Sequence, residues 1–141
     1  MKTYTVLFAL TILAATSYAR SDEHGYFADP SGYRDASFAR AERGYLACLA
    51  TTNDGVIESA LAHVAMMKLE VPDADYSLLE SRVAGVARTA ASPETRYKAF
   101  LTGMVLTSPD ILKGLPRTGY DNADEFFGAI ASRLGEYYAA R

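Results

Sequence analysis

The sequence predicts a small all-α domain, and three observations carry that prediction. Apolar residues recur at spacings of three and four in five successive segments. Helix start and stop signals bracket those segments. Strand-like alternation is weak throughout.

The first nineteen residues are read as a secretory signal peptide, with cleavage near Ala19. Lys2 supplies a positive start, and residues 6–15 are apolar apart from Thr11. Small residues at Ser17 and Ala19 frame the cut. The apolar run is about half the ~20 residues that a spanning helix needs, which argues against a retained anchor. The only cysteine is Cys48, so no cysteine sits at the cut to carry a lipid. The organisation expected is a signal peptide over 1–19, an irregular N-terminal arm over 20–36 and one helical domain over 37–141. The arm carries Tyr26, Phe27 and Tyr33, which predicts that it packs onto the domain.

The first helix is expected over residues 37–51, with Phe38, Ala41, Tyr45, Cys48 and Leu49 on its apolar stripe. Asn53 or Asp54 caps the second, over 55–70, whose stripe is Ile57, Ala60, Leu61, Val64 and Met67. Pro72 ends it. The third, over 77–90, starts on a capping box, Ser77 with Glu80, and shows Leu79, Val83, Val86 and Ala90 to the core. Ser92-Pro93-Glu94 starts the fourth, since serine caps, proline suits the first turn and glutamate faces the positive end of the dipole. Its predicted core face is Tyr97, Phe100, Leu101 and Met104, with Glu94 and Lys98 paired along the helix. Ser108-Pro109 stops it and begins one short turn through Lys113. After a loop over 114–120, Asp121 or Asn122 caps the fifth helix, with Phe127, Ile130, Ala131, Leu134 and Tyr137 facing inward.

Two segments align. Asn53-Asp54-Gly55-Val56-Ile57-Glu58-Ser59-Ala60-Leu61 lies over Ser92-Pro93-Glu94-Thr95-Arg96-Tyr97-Lys98-Ala99-Phe100, at an offset of 99 − 60 = 39 residues. Each begins on a cap and places alanine and a large apolar residue at its eighth and ninth positions. The period is that of paired-helix repeats. Asp54 and Pro93 each stand six residues before an alanine, a pattern that resembles the start of the second helix of HEAT repeats. Arg96 fits the basic residue such units carry near that start, whereas Ile57 does not. The resemblance spans about residues 37–106. It implies two HEAT-like antiparallel helix pairs plus a C-terminal capping helix; an irregular four- or five-helix bundle is the other arrangement the pattern allows. The same segments also resemble small exported bacterial proteins of unknown function.

Composition narrows the function. The chain has 141 residues and a formal charge of −3; removing residues 1–19 takes away Lys2 and no acid, which leaves 141 − 19 = 122 residues at −4. A mildly acidic domain is a poor partner for nucleic acid or an anionic membrane surface. A single cysteine forms no internal disulfide, so the core alone must hold the fold, and Cys48 is expected to be a buried, inert side chain. Of the two histidines, His24 lies in the arm beside Asp22 and Glu23. His63 lies three and four residues before Met66 and Met67, an arrangement that would suit a soft metal if it were not the ordinary pattern of core filling. No spacing marks a catalytic, cofactor-binding or metal-ligating residue, and no cofactor is implied. The sequence therefore predicts an exported non-enzymatic protein, periplasmic or extracellular, that binds another exported protein through its helical-hairpin surface. The alternative is a soluble carrier or sensor of a small ligand or metal, held in a cavity between the second and fourth helices. Expressed in an exporting host, the protein should show an intact mass that begins at Arg20. A full-length chain recovered with the membranes would contradict the signal-peptide reading.

Overall fold

The computed structural model describes residues 25–27 and 35–141. The segment read as a signal peptide and most of the arm, including His24 and Tyr33, lie outside the described residues. Within them are five α-helices and no strand: α1 (Asp35–Cys48), α2 (Asp54–Glu70), α3 (Ser77–Thr89), α4 (Pro93–Thr107) and α5 (Ala123–Ala139), with a 3-10 turn at Pro109–Leu112. The all-α class read from the sequence is the class observed. No helix among the described residues is long and apolar enough to cross a membrane.

The caps explain most helix starts. Asn53, Ser92 and Asn122 each accept a hydrogen bond from the backbone N–H three residues on, at Val56, Thr95 and Glu125. Glu125 reaches back to the Asp121 N–H at 2.9 Å, which closes a reciprocal cap on α5. The expected Ser77–Glu80 capping box does not form. Tyr76 occupies the cap position of α3, and the Asp75 carboxylate takes the Ser77 N–H at 3.0 Å. The reason lies in the core. Tyr76 is buried, and its hydroxyl donates to the carbonyls of Met67 and Val71 at 2.9 and 3.0 Å. That anchor draws Ser77 into the first helical turn and leaves Asp75 to cap it; the Ser77 N–H and hydroxyl in turn hold the Asp75 carboxyl below its ordinary value.

The helices pack in three layers. α1 and α3 run side by side in the same direction, and α2 and α4 do the same beneath them. α5 and the 3-10 turn cover the far side of the α2–α4 layer. Covered on several sides, α2 buries Ile57, Ala60, Leu61, Ala62, Val64, Ala65, Met66, Met67 and Leu69. A helix enclosed in this way is apolar nearly all round rather than along one stripe. The arm packs onto the domain at Tyr26 and Phe27, as its aromatics predicted. The Tyr26 N–H donates to the Tyr120 carbonyl at 2.8 Å, its hydroxyl donates to Ser59 at 2.9 Å, and Phe27 meets Phe126 edge to face. Gly119 just before this contact has φ +91°, a left-handed conformation that favours glycine.

Three sequence readings are corrected here. Tyr97 and Phe100 of α4 are 53% and 54% exposed, while Thr95, Lys98 and Thr102 are buried in their place. Ala62 is buried, although the α2 stripe placed it outside. Cys48 is half-buried rather than buried, at the edge of a surface pocket. α5 adds fully buried Phe126 to the predicted Phe127, Ile130 and Leu134.

Ala60 and Ala99 are both buried. Ala60 borders an open pocket, whereas Ala62 and Ala99 are fully enclosed; extra methylenes in a filled contact force strain, so Ala99→Leu and Ala62→Leu should each lose about 1–3 kcal/mol in urea unfolding. Exposed Ala84 supplies the control, and Ala84→Leu should change stability by no more than about 0.5 kcal/mol.

Candidate functional site

Where α2, α4 and the start of α5 meet, a buried lysine gathers three acids. Lys98 Nζ lies 2.6 Å from Glu58, 2.8 Å from Glu94 and 2.6 Å from Asp124. The Thr95 hydroxyl donates to the second oxygen of Glu58 at 2.7 Å. Beside them, the Thr102 hydroxyl bridges the Leu61 and Lys98 carbonyls, and so stitches α4 to the backbone of α2. Glu94 is one helical turn before Lys98, Asp124 belongs to the first turn of α5, and Glu58 comes from α2. Burial by itself pushes the Lys98 pKa down. The bonds to Asp124, Glu58 and Glu94, with the Glu58 charge, outweigh that and hold it above the ordinary lysine value.

The three carboxylates offer oxygens that all lie within 4.8 Å of one another, as metal ligands do. The Lys98 ammonium stands among them at hydrogen-bond distance. The cluster therefore supplies its own cation, and its chemistry is that of an internal clasp joining three elements. Every buried side-chain polar atom among the described residues has a partner. Of this cluster only the Glu94–Lys98 pair was legible in sequence. Glu58 lies 98 − 58 = 40 residues from Lys98, close to the repeat offset, and that coincidence is the one signal that could have found it.

A second feature surrounds His63. Its Nδ1 is 2.8 Å from the Ser59 carbonyl, and its ring lies against Tyr26, Phe27 and Tyr45 at centroid distances of 5.2, 5.2 and 6.0 Å. A pocket of about 450 Å³ opens beside it, lined by Tyr45 and Cys48 of α1 and by Val56, Ser59, Ala60 and His63 of α2. Met66 and Met67, which the sequence set next to His63, are buried in the core and do not line it. The pocket lies between α1 and α2. Between α2 and α4, where a carrier cavity was expected, Glu58, Leu61, Thr95, Lys98 and Thr102 fill the space.

A third feature is a groove on the opposite layer, along α1 and α3. A section of about 540 Å³ is lined by Leu46, Leu49, Leu78, Arg82 and Val86. A section of about 300 Å³ continues it past the same Leu78 to Phe38, Glu42 and Asp75. Leu78 is 60% exposed.

No protein-family model matches the chain, and no curated protein or solved structure resembles it.

The Lys98 clasp yields a prediction. Lys98→Met would leave three carboxylates close together with no cation among them. Two of the three are solvent-exposed, so the loss belongs at the low end for a broken buried ion pair, about 3 kcal/mol in chemical denaturation. Adding Glu58→Gln should recover part of it. The folded-state value of Lys98 lies above the ordinary 10.5, so its contribution is complete below that pH and is lost as the pH climbs beyond it. The stability gap between the wild-type protein and Lys98→Met should therefore stay level from pH ~7 to ~10 and narrow above that.

Proposed function

We propose that the chain is an exported, non-enzymatic helical protein that binds another exported protein through its helical-hairpin surface. The observation that supports this reading is the groove between α1 and α3. Leu46, Leu49, Leu78 and Val86 supply its apolar side chains, Ser81, Arg82 and Thr89 its polar ones, and Leu78 stands exposed where its two sections meet. Exposed apolar side chains gathered in a groove and rimmed by polar ones are a common mark of a partner-binding face. Two parallel helices with a channel between them suit an amphipathic segment laid along them, anchored by side chains one and two turns apart. Glu42 and Asp75 at one end and Arg82 midway offer polar contacts to orient it. The HEAT-like reading of the two helix pairs agrees with this role, because stacked hairpins present extended surfaces to other proteins.

The alternative, a carrier or sensor of a small ligand or metal, draws its support from the His63 pocket. An anchored imidazole beside Cys48 at the mouth of an open pocket is the one place among those described where such a ligand would find nitrogen and sulfur donors together.

Panning a displayed peptide library against the protein tests the groove. Enriched peptides should carry large apolar residues at helical spacing, and Leu78→Glu should abolish their binding without moving the melting temperature by more than a few degrees. Failure to enrich such peptides, or binding indifferent to Leu78→Glu, would remove the groove from consideration.

A further inference from the structure

The 39-residue offset holds in three dimensions. The two side-chain caps, Asn53 and Ser92, are 92 − 53 = 39 residues apart, and so are the first residues of α2 and α4. Equivalent positions on the two helices can therefore be compared directly. On α2, Glu58, Leu61 and Ala65 form the ridge turned toward α4: Glu58 bonds Thr95 and Lys98, the Leu61 carbonyl accepts from Thr102, and Leu61 and Ala65 are fully buried. Their equivalents on α4 are Tyr97, Phe100 and Met104. Of these, Tyr97 and Phe100 are among the most exposed large apolar side chains described.

The opposite comparison gives the complementary answer. Thr95, Lys98 and Thr102 form the face of α4 that receives the α2 ridge, and all three are buried. Their equivalents on α2 are Val56, Ser59 and His63. Val56 is exposed, Ser59 and His63 are half-buried, and all three line the 450 Å³ pocket, whereas Tyr26 and Phe27 flank His63 without lining it. The same interface thus exists once inside the chain and leaves its two outer halves at opposite ends of the stack, the α2 half with Tyr26 bonded to Ser59 and with Tyr26, Phe27 and Tyr45 against the His63 ring. One end is an aromatic ridge and the other a pocket with room for an aromatic side chain.

We infer that copies of this chain stack head to tail, the Tyr97–Phe100 ridge of one seating in the Val56–His63 pocket of the next, in the register that joins α2 to α4 within each copy. A second copy is the occupant because the contact continues an interface the fold already makes. Transposed by that register, the Glu58–Lys98 ion pair becomes the Tyr97 hydroxyl beside Ser59, which already accepts from Tyr26, and the Leu61–Thr102 contact becomes Phe100 at the side of His63 that Tyr26, Phe27 and Tyr45 leave open to the pocket. The charged clasp is replaced by an apolar and aromatic contact, which suits association from water. The contact is heterologous, so it propagates into rings or linear assemblies rather than closing as a two-fold dimer. It uses a different face from the α1–α3 groove and stands or falls independently of it.

Sedimentation velocity over a concentration series from about 10 μM to about 1 mM tests this, since a single hairpin-end contact is small and its association weak. The wild-type protein should pass from monomer to progressively larger species. Phe100→Asp spoils only the ridge, and Val56→Asp spoils only the pocket; an acid in the first turn of α2 suits the helix dipole. Each variant alone should associate at least tenfold more weakly. Mixed together, they should form a one-to-one dimer that grows no further, because one good ridge and one good pocket remain. Tyr97→Asp serves as the ridge variant should Phe100→Asp lower the melting temperature. A monomer at every concentration, an assembly unmoved by either substitution, or a mixture with no dimer would overturn the proposal.

Discussion

The packing of α2 against α4 is the constraint on which the rest of this molecule depends. α2 is enclosed by α1, α4 and the α5 layer, so its apolar surface is removed from water on several sides at once. Such burial is worth roughly 25 cal/mol per Å² of apolar area, and with no internal disulfide available it must hold the domain together. The contact is directional as well as apolar. Thr102 bonds the Leu61 carbonyl, and Thr95 and Lys98 share Glu58. These polar bonds set the rotation of α4 about its axis.

That rotation has consequences far from the bonds that cause it. With Thr95, Lys98 and Thr102 turned inward, Tyr97 and Phe100 are turned outward. A buried ammonium is tolerable only when it is paired, and three carboxylates from three elements meet that need. The clasp also fixes the first turn of α5 through Asp124, and α5 in turn carries Phe126 and Phe127 to the arm and to Lys98. One ionic cluster thus registers the second layer against the third and decides which side chains are left at the surface.

Three surfaces follow from this arrangement. The α1–α3 groove lies on the layer away from α5, while the aromatic ridge and the His63 pocket lie at the two ends of the hairpin stack. The groove exposes Leu78 beside Leu46, Leu49 and Val86. The ends suit each other, because each is one half of a contact that the chain satisfies once internally. Stacked repeats ordinarily carry atypical end units that limit further stacking, and here Tyr26 and Phe27 of the arm cover part of the α2 end.

The sequence by itself determined the local structure. Helical periodicity marked all five helices; Ser92 announced one start, and the pairs Asn53–Asp54 and Asp121–Asn122 bracketed two more, because caps and apolar spacing act within a few residues. It also contained the 39-residue offset that separates the caps Asn53 and Ser92 and the first residues of α2 and α4. Tertiary structure alone decided which face of α4 is inside. Read locally, Tyr97 and Phe100 outrank Thr95, Lys98 and Thr102 as core residues. Their rank is reversed by Glu58, the Leu61 carbonyl and Asp124, partners distant in sequence that make the polar face the better one to bury. Tertiary structure likewise decided that Tyr76 displaces the Ser77 capping box, that Ala62 is enclosed and that Cys48 borders an open pocket. In each case the deciding neighbour lies on another element, and periodicity along one helix carries no information about it.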